Sequence, residues 1–222
     1  MKDMLSTRWI LALMLFAVCA APAFGQNPII DYLGYGWETG GILPSEPGDV
    51  LVFTCSGVAA DPEFGVDLGV DELTFYIYDL VSEGQVDVGG NNLMISYTGG
   101  YLEIWRDGAQ NADWGIDPPN ATSPSTFTDG TLFFRGEFTY LTLFVNPVGN
   151  GVYEGGLNAL DGEILGDVCD NCAYTWGGSF LKGTGAQIPD GYDLQIDGVF
   201  ELDGAIGNEN SAWGDVKSLY NN

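Results

Sequence analysis

The chain has 222 residues, 31 acidic against 6 basic, with no histidine and a formal charge of −25. The missing histidine excludes Ser-His-Asp triads, Cys-His dyads, His-bearing zinc sites and His-ligated haem, and the scarcity of Lys and Arg excludes unaided nucleic-acid binding. Hydrophobic residues at 45% suffice for a packed core, and 33 glycines without a three-residue period exclude collagen.

Lys2 and Arg8 flank the start of a continuous apolar run, Trp9 to Val18, and small residues follow from Ala20 to Gly25. This layout predicts a secretory signal peptide over 1–25, cleaved before Gln26, with Ala21-x-Ala23 as the alternative signal. Cys19 raises a lipoprotein alternative, but Val18 stands where a lipobox needs a small residue. No later stretch reaches the roughly 20 apolar residues of a transmembrane helix. The expected product is secreted, extracellular or held in the cell envelope. Its charge is near −26, from 30 acidic side chains (Asp3 being lost) and 4 basic ones. Such a surface repels itself and anticipates divalent cations or high ionic strength around it. Acidity that merely keeps the domain soluble is the simpler alternative.

Beyond the signal, almost no segment has helical period. Short runs rich in Val, Ile, Phe and Tyr, broken by Gly, Asp, Asn and Pro, predict an all-β chain. In chain order the expected strands are 50–57, 72–80, 92–97, 101–106, 131–140, 141–146, 151–159, 175–181, 192–195 and 198–202. Cys55 shares a face with Leu51 and Phe53 and is expected to point inward. Leu73, Phe75 and Ile77 alternate with Thr74, Tyr76 and Tyr78, so one face is core and the other is tyrosine-rich. Thr98-Gly99-Gly100 is expected to turn a short hairpin between two strands. About ten strands at this spacing predict two packed sheets, a β-sandwich or jelly roll, in a single domain over 26–204. Residues 205–222 are expected to form a linker and a short tail, in which Trp213, Val216 and Tyr220 share one side of a helical turn.

Residues 107–129 are too long for a plain hairpin connection and are expected to form a functional or decorated loop. Around them lie Tyr97-Thr98-Gly99-Gly100-Tyr101-Leu102-Glu103-Ile104-Trp105-Arg106-Asp107, then Asn111-Ala112-Asp113-Trp114-Gly115, Pro118-Pro119-Asn120 and Pro124 to Leu132. Ile188 to Gly198 (IPDGYDLQIDG) closes the set. Over roughly residues 90–200 this pattern resembles uncharacterised secreted bacterial proteins of the PEP-CTERM-associated type. The resemblance implies an exported, β-rich protein of the envelope or matrix and carries no activity with it. The chain departs from that group after Leu202, where no Pro-Glu-Pro, apolar helix and basic cluster follow. Asn120-Ala121-Thr122 is a glycosylation sequon in form only, given a bacterial secretion context.

Carboxylates are the only plentiful reactive groups. Glycoside hydrolysis needs two of them facing each other about 5–10 Å apart, and Glu103 with Asp113 is the pair to consider, beside Trp105 and Trp114. Calcium, which takes several oxygen ligands, is the better match to acidic loops. The candidate sets are Asp107, Asp113 and Asp117; Asp161, Glu163, Asp167 and Asp170; Asp61, Glu63, Asp67 and Asp71; and Asp190, Asp193 and Asp197. Solvated acidic turns are the plain alternative for each, and none follows the EF-hand spacing. Trp114 is expected to be the exposed tryptophan and, with Trp105, a candidate glycan contact. Trp105 and Trp176 are expected to be largely buried. In an exported chain, Cys169 and Cys172 are expected to pair as a local disulfide, with free thiols as the alternative. The leading expectation is a non-enzymatic extracellular protein with a structural or adhesive role. The alternatives are a calcium-dependent carbohydrate-binding module and a carboxylate-pair glycoside hydrolase.

Overall fold

The computed structural model describes residues 27–115, 124–167, 172–182 and 187–203. The expected signal peptide, the tail from 205, and Asp117, Cys169 and Asp170 lie outside the described residues. Among the described residues nine strands form: β1 Ile29–Glu38, β2 Val50–Ala60, β3 Glu72–Gly89, β4 Asn92–Thr98, β5 Tyr101–Asp107, β6 Thr131–Val145, β7 Gly151–Asp161, β8 Ala173–Leu181 and β9 Leu194–Asp203. All pairings are antiparallel, and each strand pairs with its neighbour in sequence apart from β4 and β5, which share one slot between β3 and β6.

The all-β expectation stands, but the two-sheet sandwich does not. β1, a strand that the glycines and polar residues of DYLGYGWE conceal in the sequence, pairs with β2 on one side and with β9 on the other. First and last strands therefore join, and the twisted meander closes into an eight-stranded barrel with no free sheet edges to stack as layers. Two further expectations are corrected. The two strands expected over 131–146 are one, Thr131–Val145, and the two expected over 192–202 are one, Leu194–Asp203, which leaves Tyr192 and Asp193 ahead of it.

The expected hairpin at Thr98-Gly99-Gly100 is a corner instead. β4 and β5 run end to end along the same two partners and do not pair with each other. At this level Asp79 of β3 takes φ 59°, Gly99 and Gly100 take φ 67° and 86°, and β6 shifts register between Phe138 and Tyr140. Each irregularity inserts a residue, so inward parity swaps together: Ile77 then Leu80 on β3, Tyr97 then Leu102 across the β4–β5 break, Phe138 then Leu141 on β6. Aligned bulges bend three neighbouring strands at one height, which is how a sheet turns a barrel corner. A Cβ on Gly100 would lie 2.7 Å from Leu80 and 3.0 Å from the Tyr78 carbonyl, so the corner needs glycine there.

Along each strand, alternate residues face the interior. Cys55, Leu73, Phe75 and Ile77 are fully buried, as the alternation predicts. The interior is filled by rings. Trp176, fully buried, lies 5.6 Å from Tyr32 in a stacked pair, 4.6 Å from Tyr153, 5.2 Å from Phe53 and 5.9 Å from Phe138. Glycines make the room: a Cβ on Gly155 would come within 2.8 Å of the Phe138 ring. The Tyr32 and Tyr153 hydroxyls meet at 2.7 Å, and burial pushes both phenols well above their usual range. Outward positions carry acidic side chains such as Asp31, Glu103, Glu154, Asp197 and Glu201 beside exposed apolar ones such as Val86, Phe144, Val152 and Leu181. No helix among the described residues is long and apolar enough to cross a membrane.

Candidate functional site

The described parts of the long connection after β5, residues 108–115 and 124–130, lie against the barrel wall. Glu72 at the start of β3 accepts the backbone N–H groups of Asn111 (2.6 Å) and Ala112 (3.1 Å), which ties the loop down at its root. Burial is the main cause that raises the Glu72 carboxyl, and these two hydrogen bonds oppose it. Trp114, expected to be exposed, is half-buried against the outer wall. Its indole N–H donates to the Thr54 carbonyl at 3.0 Å, and its ring meets Tyr35 at 5.4 Å and Phe127 at 5.5 Å. The Tyr192 hydroxyl donates to the Trp114 carbonyl, and Tyr192 packs on Tyr35 and Trp37. Phe127 is fully buried and its carbonyl accepts from Thr74. Thus residues 111–115 and 125–127 form a strap with a small core of their own outside the barrel, because an indole ring this large gains more from a satisfied, apolar seat than from water.

Several members of the acidic clusters make local hydrogen bonds in turns. Asp107 accepts from the Ala109 N–H, Asp113 from the Gly115 N–H and Asp161 from the Gly162 N–H, each at 2.8–3.0 Å. Glu163 pairs with Arg106 at 2.8 Å. Asp167 ends a single helical turn, α1 (Ile164–Asp167). Asp61 and Asp67 cap backbone groups of Ile29 and Gly69, and Asp193 accepts the Glu38 N–H. Among the described residues, no group of three or more Cys, Asp or Glu side chains is placed to hold a metal ion.

A different constellation forms on the outer wall of β3, β5 and β6. Strand register sets Tyr76 opposite Glu103, Tyr78 opposite Tyr101, and Glu103 opposite Arg135. The two-residue repeat keeps Tyr76 with Tyr78, and Tyr101 with Glu103 and Trp105, on the outside. Glu103 sits at the centre. One oxygen accepts from the Tyr78 hydroxyl at 2.9 Å and lies 3.4 Å from Arg135 Nε, and the other accepts from the Trp105 indole N–H at 3.1 Å. The Arg135 guanidinium lies 5.1 Å from the Tyr101 ring centroid, and Tyr76 stacks on Tyr78 at 4.8 Å. Partial burial, then the hydrogen bond and charge of Glu103, push the Tyr78 phenol up to about 12. Trp105, expected in the core, is therefore half-buried on the outside. Trp176, expected there too, is in the core.

Chemically this cluster suits binding. The cross-strand neighbours of Glu103 are Tyr76 and Arg135 rather than a second carboxylate, and both its oxygens are engaged. The tyrosine face of β3 was visible in the sequence as alternation; Arg135 was not, because only the fold brings β6 beside β5. The fold defines the class as a closed, antiparallel up-and-down barrel. No family model matches the chain, and no curated protein or solved structure matches it either.

Proposed function

We propose that the protein is an exported, non-enzymatic barrel of the cell surface or extracellular matrix that works in a structural or adhesive role by presenting its outer wall. The observation that carries this reading is the filled interior. Tyr32, Phe53, Phe138, Tyr153 and Trp176 close on one another, so recognition falls to the outside. The signal-like first 25 residues, the acidic surface and the resemblance to PEP-CTERM-associated secreted proteins support the same compartment. A Cys169–Cys172 staple belongs to this reading: among the described residues Cys55 is a buried free cysteine, and Cys172 is not a free thiol. The test is fractionation of cells expressing the full chain. The expected result is a product beginning at Gln26, outside the cytoplasm, retained on the surface and inert toward glycoside substrates. An uncleaved cytoplasmic product, or turnover lost on Glu103→Gln, overturns it.

A second reading, glycan binding, is favoured by the outer-wall cluster. Tyr101 and Trp105 stand partly open beside Glu103 and Arg135, a combination of rings and hydrogen-bonding groups that suits sugars. The contact surface then centres on Trp105 rather than Trp114. Electrophoresis through gels containing soluble xylan or glucan should retard the protein and its Trp114→Ala variant but not Trp105→Ala. No retardation, or equal loss in both variants, counts against this reading.

A further inference from the structure

The inward row of β1 is Ile30, Tyr32, Gly34, Gly36 and, last, Glu38. A glutamate thus ends a row that points into an apolar barrel, and it is only 4% exposed. It lies at the barrel mouth, under the β1–β2 loop of residues 39–49. Ser45 of that loop donates to one Glu38 oxygen at 2.5 Å, and Tyr97 of β4 donates to the other at 2.9 Å. Ser45 and Ser82 of β3 share a hydroxyl contact at 2.7 Å, and Ser82 accepts the Gly84 N–H at 2.9 Å. The same loop is stitched to β3 by Gly48 N–H to the Ser82 carbonyl and Gln85 N–H to the Ser45 carbonyl, and it drives Ile42, 1% exposed, into the core. The charged groups facing Glu38 are Asp49 from the loop and Asp193 ahead of β9, both acidic; the Tyr97 phenol is the other titratable neighbour. Among the described residues no Lys or Arg pairs with it.

We propose that Glu38 is a proton-dependent latch: protonated, its own O–H donates across the 2.5 Å contact to Ser45 Oγ, which donates on to Ser82, and the 39–49 loop stays seated across the mouth; on losing its proton it releases the loop. An acid in this seat faces desolvation with no cation to offset it and two carboxylates nearby. Burial raises its pKa from 4.5 to about 7, Asp49 and Asp193 add to the rise, and the hydrogen bonds from Ser45 and Tyr97 oppose it. With the loop lifted, Glu38 meets water and titrates as an ordinary glutamate. The closed form therefore holds the proton more tightly. Its advantage is complete below the ordinary glutamate range and disappears as pH rises through about 7. Tenfold per pKa unit makes the change in the opening equilibrium roughly 100-fold. Opening uncovers Ile42, Leu43 and the mouth end of the core.

Hydrogen exchange read by mass spectrometry on the full chain at pH 5 and pH 8, corrected for intrinsic rates, tests this. Amides of residues 41–48 should open roughly 100-fold more at pH 8, while those of 51–56 in β2 stay unchanged. Glu38→Gln, which keeps the shape and carries no charge, should remain closed at both values. Tyr97→Phe, which removes a donor to the anion but leaves the ring, should open further than wild type at pH 8. Equal protection of 41–48 at both pH values in wild type, or a Glu38→Gln protein that still opens at pH 8, overturns the latch.

Discussion

Glu103 receives hydrogen bonds from two elements and faces a guanidinium from a third, yet its net worth to the fold is small. An ion pair open to solvent on one side contributes about 0–1 kcal/mol, and here the Arg135 side chain is 40% exposed although that of Glu103 is only 12% exposed. Denaturant titration of Arg135→Leu and Glu103→Gln should therefore show losses of no more than about 1 kcal/mol each, with the pair coupled in a double-mutant cycle. The spectroscopic effect should be larger. Deleting the carboxylate with Glu103→Ala removes a cause of the raised Tyr78 titration, so one tyrosine step in the ultraviolet should move down from about 12 toward its ordinary value. The interior tyrosines should not move, because burial holds them up. Glu38 belongs to the same scale. Its raised pKa gives stability that is present at low pH and lost as pH climbs through about 7. The unfolding free energy of wild type from urea titration should fall between pH 5 and 8 by up to about 3 kcal/mol, and Glu38→Gln should flatten that slope.

At the scale of elements, the corner and the strap carry different kinds of constraint. Gly100 combines a positive φ with backbone and side-chain atoms where a Cβ would sit, whereas Gly41, at φ 91°, has open space around it. Gly100→Ala should cost more than Gly41→Ala, about 2–4 kcal/mol against about 1, because the first adds a clash to the conformational strain. Equal losses would mean that the corner can relax. The strap depends on the seat of Trp114. Trp114→Phe keeps a ring against Tyr35 and Phe127 and gives up the hydrogen bond to Thr54, about 1 kcal/mol. Exchange protection around residues 111–115 should drop while the barrel amides hold. Tryptophan at a long loop reads as exposed in a sequence because nothing in the string shows that Trp114 folds back onto the wall of β1 and β2.

For the whole molecule, closure outweighs charge. Truncating Trp176, which touches rings from four other strands, should cost about 3–5 kcal/mol and lower the thermal midpoint more than any outer-wall variant. Self-repulsion at −25 should show as a midpoint that rises with NaCl, and a further rise with calcium at equal ionic strength would mark an ion site on an acidic loop. The two-residue alternation, the all-β class, the inward set of β2 and the first half of β3, and the tyrosine face were legible in the string because each depends only on neighbours along one strand. The closure of β1 onto β9, the end-to-end run of β4 and β5, the meeting of Arg135 with Glu103 and the burial of Glu38 were not. Each depends on which strand lies beside which, and a strand's own pattern is silent about its partner. Local periodicity thus determined the material of the wall and its two faces. Only the tertiary structure, through the summed twist and three aligned bulges, decided that the wall closes on itself and which side chains meet where it does.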